Sequence, residues 1–171
     1  MSDMQQQSSN RYLTFSLGKE MFALDIEGVR EILDMTDVTR IPQTPKSVRG
    51  VVDVRGAAVP VIDLRQRFGM EPSERTVHTR IIIVEIPRSE EVTVLGAIAD
   101  SVKEVLELEP EAINPPPSMG TAVNVEFLRG IGKHENQFIL IVDIAKVLST
   151  DEVFMLGEVS RAVNAQETVQ A

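Results

Sequence analysis

Residues 45–68 read PKSVRGVVDVRGAAVPVIDLRQRF, and parts of this stretch occur twice in the chain. Val48-Arg49-Gly50-Val51 returns as Leu128-Arg129-Gly130-Ile131. Each copy leads into a short apolar run that meets an aspartate, Val61-Ile62-Asp63-Leu64 in the first and Ile141-Val142-Asp143-Ile144 in the second. The spacing from Gly50 to Asp63 equals that from Gly130 to Asp143. VREILD at 29–34 returns as VKEVLE at 102–107, conservatively matched at every position. Two matched blocks in the same order define a tandem duplication with a small difference in length between the blocks.

The local patterns within each copy are those of strands. Tyr12–Leu17 alternates, meets Gly18-Lys19-Glu20 and continues as Met21–Leu24, which predicts a hairpin. Its counterpart is Arg80–Ile86, a polar turn over 87–91 and Val92–Ala99. Val59–Ile62 and Phe138–Val142 are short runs of the buried-strand kind, with Pro60 pointing to a strand start or an edge because proline cannot donate a ladder bond. Gly50, Gly56, Gly130 and Gly132 mark bends or bulges. VREILD fits either a helical stripe or a strand; a turn of helix leading into a strand is the favoured reading. Asp63 and Asp143 are natural N-caps for short helices over 64–68 and 144–148.

Together these features predict a mainly β fold of two small, pseudo-symmetric, five-stranded β-barrels packed on each other, with short helices and a C-terminal helix. Barrels of about 70 residues have thin cores, so a third apolar seam between them is expected. The expected layout is a loose tail at 1–10, a domain over 11–150 made of subdomains near 11–78 and 79–150, a terminal helix over 151–164 and a frayed end at 165–171. Whether each barrel is contiguous or exchanges a strand with the other is open at this level.

Composition bounds the chemistry. Hydrophobic residues make up 43% of the chain, aromatics only 4%, and there is no cysteine, so disulfides, thiolate nucleophiles and Cys-based zinc sites are excluded. No apolar run approaches the ~18 residues of a membrane span. The net charge of −9 argues against nucleic-acid binding. It is unevenly spread: basic and acidic side chains balance over 1–70, and the whole deficit falls on 71–171, which reads as an ordinary acidic soluble surface or, more sharply, as two halves of different potential that meet different partners. No phosphate-cradling glycine loop is present. His78 and His134 are far apart in the chain and lack a partner motif, and no acidic spacing dictates a metal site. Nothing indicates a catalytic residue, a metal or a cofactor. A small-ligand-binding barrel is the rival reading from another class, and it would need a deep polar pocket.

What remains distinctive is the pair Arg49-Gly50 and Arg55-Gly56, in which glycine permits a bend and a close approach while arginine offers a planar fork of donors. The stretch 46–67 carries Lys46, Arg49, Arg55, Arg65 and Arg67 against Asp53 and Asp63. Residues 45–68 resemble the hallmark of the CheW-like domain family, R/K-G-V-x-N-L-R-G-x-V-[VI]-P-V-[VI]-D-L. The resemblance extends over about 11–150 and takes in VREIL, Thr39-Arg40-Ile41-Pro42 with Pro45, and Leu128-Arg129-Gly130. One departure stands out: the usual Asn is Asp53 here.

The resemblance implies an adaptor without enzymatic activity that couples the cytoplasmic tip of transmembrane chemoreceptors to the regulatory, itself CheW-like, domain of the histidine kinase CheA. It implies a cytoplasmic protein recruited to the inner face of the membrane, with neither nucleic acid nor membrane insertion involved. Assembly would be into arrays rather than closed homo-oligomers, because heterologous contacts propagate. The receptor groove would take Val29, Glu31, Gly50, Arg55, Gly56 and Val105. The kinase would meet Ile32, Val38 and Ile41 in the first copy and Glu126, Phe127 and Arg129 in the second. With no receiver or kinase segment in the sequence, the chain is expected to be the free-standing form. An equivalent adaptor of a pilus-motility or other chemosensory pathway would read the same way.

Overall fold

The computed structural model describes residues 10–42, 46–87, 92–116 and 125–147. The expected terminal helix over 151–164, the end at 165–171 and all but the last residue of the 1–10 tail lie outside them. Among the described residues there are ten strands, β1 (Arg11–Leu17), β2 (Glu20–Asp25), β3 (Val29–Asp34), β4 (Val48–Val54), β5 (Ala57–Asp63), β6 (Arg80–Pro87), β7 (Val92–Ala99), β8 (Ser101–Glu107), β9 (Leu128–His134) and β10 (Gln137–Val142). Two short helices, α1 (Leu64–Phe68) and α2 (Ile144–Val147), follow β5 and β10. The VREILD ambiguity resolves into a 3-10 turn at Ile26–Gly28 that feeds β3.

The strands form two five-stranded mixed sheets, ordered β8-β1-β2-β10-β9 and β3-β6-β7-β5-β4. Substituting each strand by its repeat partner turns one order into the other, so the duplication is complete at the level of topology. Neither sheet is contiguous in sequence. The hairpin β1–β2 sits among the last three strands of the second copy, with β1 antiparallel to β8 and β2 parallel to β10. The hairpin β6–β7 likewise joins β3 and β5 of the first copy. A boundary at residue 78 therefore does not separate one sheet from the other.

The expected barrels are curled sheets whose rims are joined by a two-bond bridge rather than by a continuous ladder. Beyond β3, Thr39 exchanges both backbone hydrogen bonds with Val51 of β4, at 2.9 and 2.8 Å. Beyond β8, Asn114 does the same with Ile131 of β9, again at 2.9 and 2.8 Å. The Arg-Gly pairs are built for this closure. A ladder shift places a β-bulge at Arg49 opposite β5 and another at Arg129 opposite β10. Gly50 then lies against the bridging strand with φ of +145°, and a Cβ there would fall 2.0 Å from the carbonyl oxygen of Thr39. At Gly130 the same test meets the Ile113 side chain at 2.6 Å and the Asn114 oxygen at 2.9 Å.

The core has three parts. Tyr12, Ala23, Leu108, Ile139 and Ile141 fill one sheet's concave interior, and Val52, Val59, Val61, Ile81 and Ile83 fill the other. The largest cluster, with Phe15, Phe22, Leu64, Ile82, Leu95 and Leu140 among its members, is the predicted seam between the sheets. Because successive strand side chains point to opposite faces, Tyr12 enters the interior while Leu13, Phe15 and Leu17 enter the seam, so β1 is buried on both faces. Pro60 departs from expectation, since it lies in the middle of an interior strand. Val51 uses its N–H and C=O on Thr39, so the missing N–H of Pro60 faces away from β4, on the side where pairing with β7 begins only at Val61.

Candidate functional site

The hallmark motif ends in the hairpin β4–β5, whose loop is Arg55-Gly56. Both residues have positive φ, 51° and 86°, the geometry of a type I′ turn that follows the right-handed twist of the strands. Asp53 Oδ1 accepts the Gly56 N–H at 2.7 Å. An asparagine oxygen would accept the same bond, so the departure at this position preserves the turn. The turn lifts Arg55 across the gap between the two rims of its sheet, where it grips Glu31 of β3 with two hydrogen bonds of 2.6 and 2.9 Å. The pairing is asymmetric in exposure: the arginine side chain is 76% exposed and the glutamate 18%.

The second module repeats the device in different chemistry. The loop between β9 and β10 is Glu135-Asn136, again with two positive φ values, 51° and 64°. Glu104 of β8 occupies the place of Glu31. The nitrogen beside it comes from the preceding residue: His134 Nε2 lies 3.9 Å from Glu104 and 3.7 Å from Glu135.

A second polar cluster, which the sequence patterns do not single out, ties the sheets together at one end of the seam. Arg65 of α1 meets Asp100, at the β7–β8 junction, through Nε at 3.1 Å and a terminal nitrogen at 2.5 Å, and reaches the Glu71 carbonyl at 2.7 Å. Asp100 also accepts the Gly18 N–H at 2.6 Å, which brings in the β1–β2 turn. Burial alone would push the Asp100 carboxyl up. The hydrogen bonds from Arg65 and Gly18 and the positive charge of Arg65 outweigh that and hold its pKa below the ordinary carboxylate value. The bond to Asp100 in turn raises the Arg65 pKa against its desolvation, helped by the charges of Asp100 and Asp63. The only hint in the sequence is a buried-strand run that stops at an aspartate, Ala97-Ile98-Ala99-Asp100.

The other expected site residues are placed as follows. Gly50 is buried and serves the bridge to Thr39, an internal use of the close approach that the sequence assigned to a partner. Gly56 is exposed at the turn. Val29 is half-buried against the seam, while Val105 lies open on β8 of the opposite sheet. Among the kinase-facing residues, Ile32 is exposed on β3 and Glu126 is exposed in a 3-10 turn. Ile41 is half-buried. Val38 packs inward against the interior of its own sheet. Phe127 packs on Phe68, with Arg67 over its ring at 5.6 Å, and ends an aromatic chain that runs back through Phe22 to Phe15. Arg129 pairs with Asp25 at 3.4 Å. So the fold joins Glu31 to Arg55 directly and sets Val105 on the other sheet.

Among the described residues no group of three His, Asp or Glu side chains could hold a metal ion, and no helix is long and apolar enough to cross a membrane. A duplicated β scaffold with exposed, oriented charges at its turns is the kind of surface a docking protein presents. The comparisons identify the family. Residues 11–152 match the CheW-like domain. The chain is 34% identical over 151 residues to the chemotaxis protein CheW of Klebsiella aerogenes, covering 88% of this chain and 89% of that one. It is 28% identical over 147 residues to protein FrzA of Myxococcus xanthus, covering 85% and 89%. The crystal structure of the scaffolding protein TtCheW from Thermoanaerobacter tengcongensis superposes with a TM-score of 0.75 at 34% identity, covering 83% and 89%. The chain belongs to the CheW-like domain family, and as a member it is a chemotaxis coupling adaptor, not an enzyme.

Proposed function

We propose that the chain docks the cytoplasmic tip of a chemoreceptor and the CheW-like regulatory domain of the histidine kinase CheA at the same time, in the cytoplasm beneath the membrane, and so transmits the receptor's state to the kinase. The observation that carries this reading is the Arg55–Glu31 pair. Two residues of the family resemblance, 24 positions apart, meet on the surface in a bidentate pair. A surface ion pair contributes only ~0–1 kcal/mol to folding. It does, however, fix the plane of the guanidinium and leave part of its donor fork facing solvent. That is a preoriented polar anchor, and Val29 on the same strand as Glu31 and Val105 on the opposite sheet are assigned to the same receptor surface. The kinase side is assigned to Ile32 and Ile41 with the flank of Val38, and to Glu126, Phe127 and Arg129, of which Arg129 is held by Asp25. Repetition of such contacts between copies and kinase domains builds arrays.

The test is co-sedimentation with purified receptor fragment and kinase. Arg55→Glu is expected to abolish receptor recruitment while thermal melting stays within a few degrees, and the exchanged pair Glu31→Arg with Arg55→Glu to restore part of it. A large drop in melting temperature would make Arg55 a structural residue and overturn the assignment. The same adaptor role in a different chemosensory pathway is favoured only by the likeness to FrzA, and the receptor captured in that assay separates the two.

A further inference from the structure

The two hairpin turns share a backbone and differ in how they are held. Pair for pair, the β4–β5 ladder matches the β9–β10 ladder, with Gly50↔Val61 answering to Gly130↔Ile141 and Asp53↔Ala58 to Lys133↔Phe138. Lys133 therefore takes the place of Asp53, and Glu135-Asn136 that of Arg55-Gly56. A lysine side chain has no acceptor, so it cannot receive an N–H from the turn. Lys133 instead lies with Nζ 5.8 Å from the centre of the Phe138 ring, its partner across the ladder. The second turn keeps both positive φ values all the same. The bond from the Gly56 N–H to Asp53 Oδ1, at 2.7 Å, is thus not what a turn of this geometry requires.

Its use follows from the peptide unit that it holds. The Gly56 N–H belongs to the central peptide of the turn, the one that joins Gly56 to Arg55. Arg55 sits at φ of 51°, a conformation that its Cβ disfavours. Glycine at the next position accepts either sign of φ and adds no preference, whereas Asn136, at the same place in the other turn, enters the left-handed region more readily than most residues. The relaxed alternative for Arg55-Gly56 is the mirror-image turn with negative φ, which splays the strands. Reaching it turns the central peptide to the other face of the hairpin and breaks the bond to Asp53. While the bond holds, Arg55 stays left-handed and its guanidinium stays on Glu31. We infer that Asp53 is a positioning residue for partner recognition, acting through Arg55 by fixing the direction in which the arginine presents its remaining donors. The inference rests on Arg55 as the receptor anchor.

The test uses the full chain and the purified receptor fragment. Binding is read by co-sedimentation, closure of the turn by hydrogen exchange at the Gly56 amide, and stability by thermal melting. Asp53 is exposed, so Asp53→Ala is expected to melt within a few degrees of wild type while it unprotects the Gly56 amide and weakens receptor binding several-fold. Asp53→Asn, which keeps the acceptor oxygen and drops the charge, is expected to restore both. Weakened binding by Asp53→Asn with the Gly56 amide still protected overturns the inference, because the carboxylate would then act by its charge. A large fall in the melting temperature of Asp53→Ala overturns it too, by making the bond part of the fold. Arg55→Glu in the same assay separates the brace from the anchor. If Asp53→Ala binds as wild type and Arg55→Glu does not, only the brace is removed; if Arg55→Glu also binds normally, the anchor falls and the brace with it.

Discussion

The two halves of this molecule have the same backbone devices and different side chains on them. Each has a bulged Arg-Gly, a bridge that joins the rims of its sheet, a turn with two positive φ values and an aspartate-capped helix after the last strand. Yet the turn presents Arg55 to Glu31 in one half and His134 to Glu104 in the other. Arg65 clasps Asp100 at one end of the seam, whereas its repeat position carries Ala145. Backbone geometry is tied to closing the sheet, so both copies keep it. The charges above it have no such duty, and they differ between the copies.

The sharpest way to break that symmetry is at the glycines. Gly50→Ala must leave a left-handed backbone conformation and also displace a backbone oxygen, and is expected to lose about 3 kcal/mol or more. Gly130→Ala needs no left-handed backbone and meets the Ile113 methyl at 2.6 Å and the Asn114 backbone oxygen at 2.9 Å, a lesser intrusion, and is expected to lose about 1–2 kcal/mol. Urea denaturation of the two variants reads the difference; equal losses would mean that the two closures are mechanically alike.

Next in size is the end of the seam that Arg65 and Asp100 clasp. Asp100→Asn weakens hydrogen bonds to a charged partner and is expected to lose about 2 kcal/mol at neutral pH. The folded-state pKa of Asp100 is depressed, so its contribution is present above the unfolded value near 4 and disappears as pH falls through the folded one. The stability gap between wild type and Asp100→Asn should therefore close in acid, below about pH 4. The repeat equivalent, Glu27→Gln, alters an exposed side chain and is expected to change stability by less than about 0.5 kcal/mol. A gap that persists in acid would assign the loss at Asp100 to packing rather than charge.

Much of this was legible in the sequence, for a physical reason: the repeat exposes whatever the backbone requires twice. The hairpins, the helix caps at Asp63 and Asp143, the turn of helix before β3 and the apolar seam all follow from local patterns. Strand exchange did not, because a hairpin reads the same whichever neighbours it joins. Gly50 was read as an approach to a partner because the sequence does not show Thr39 returning to β4. Arg65 and Asp100, 35 residues apart, carry no local signature at all. Of the candidate site, Glu31 and Arg55 do meet, whereas Phe127 and Val38 turn towards the core.

The smallest expected effects belong to the two turns, and they separate a fold role from a docking role. Arg55→Ala exposes a half-buried carboxylate but removes a pair largely open to solvent, so its loss should be under ~1 kcal/mol and shrink further at high salt. His134→Ala removes a contact of 3.9 Å with a partner 63% exposed and should cost a few tenths at most. If melting in low and high salt shows both losses to be this small, neither pair accounts for the closure of its sheet, which then rests on the bridges at Thr39 and Asn114. A loss of several kcal/mol at Arg55 alone would instead make the clasp a structural substitute for a weak bridge. The asymmetry between the halves would then lie in folding rather than in recognition.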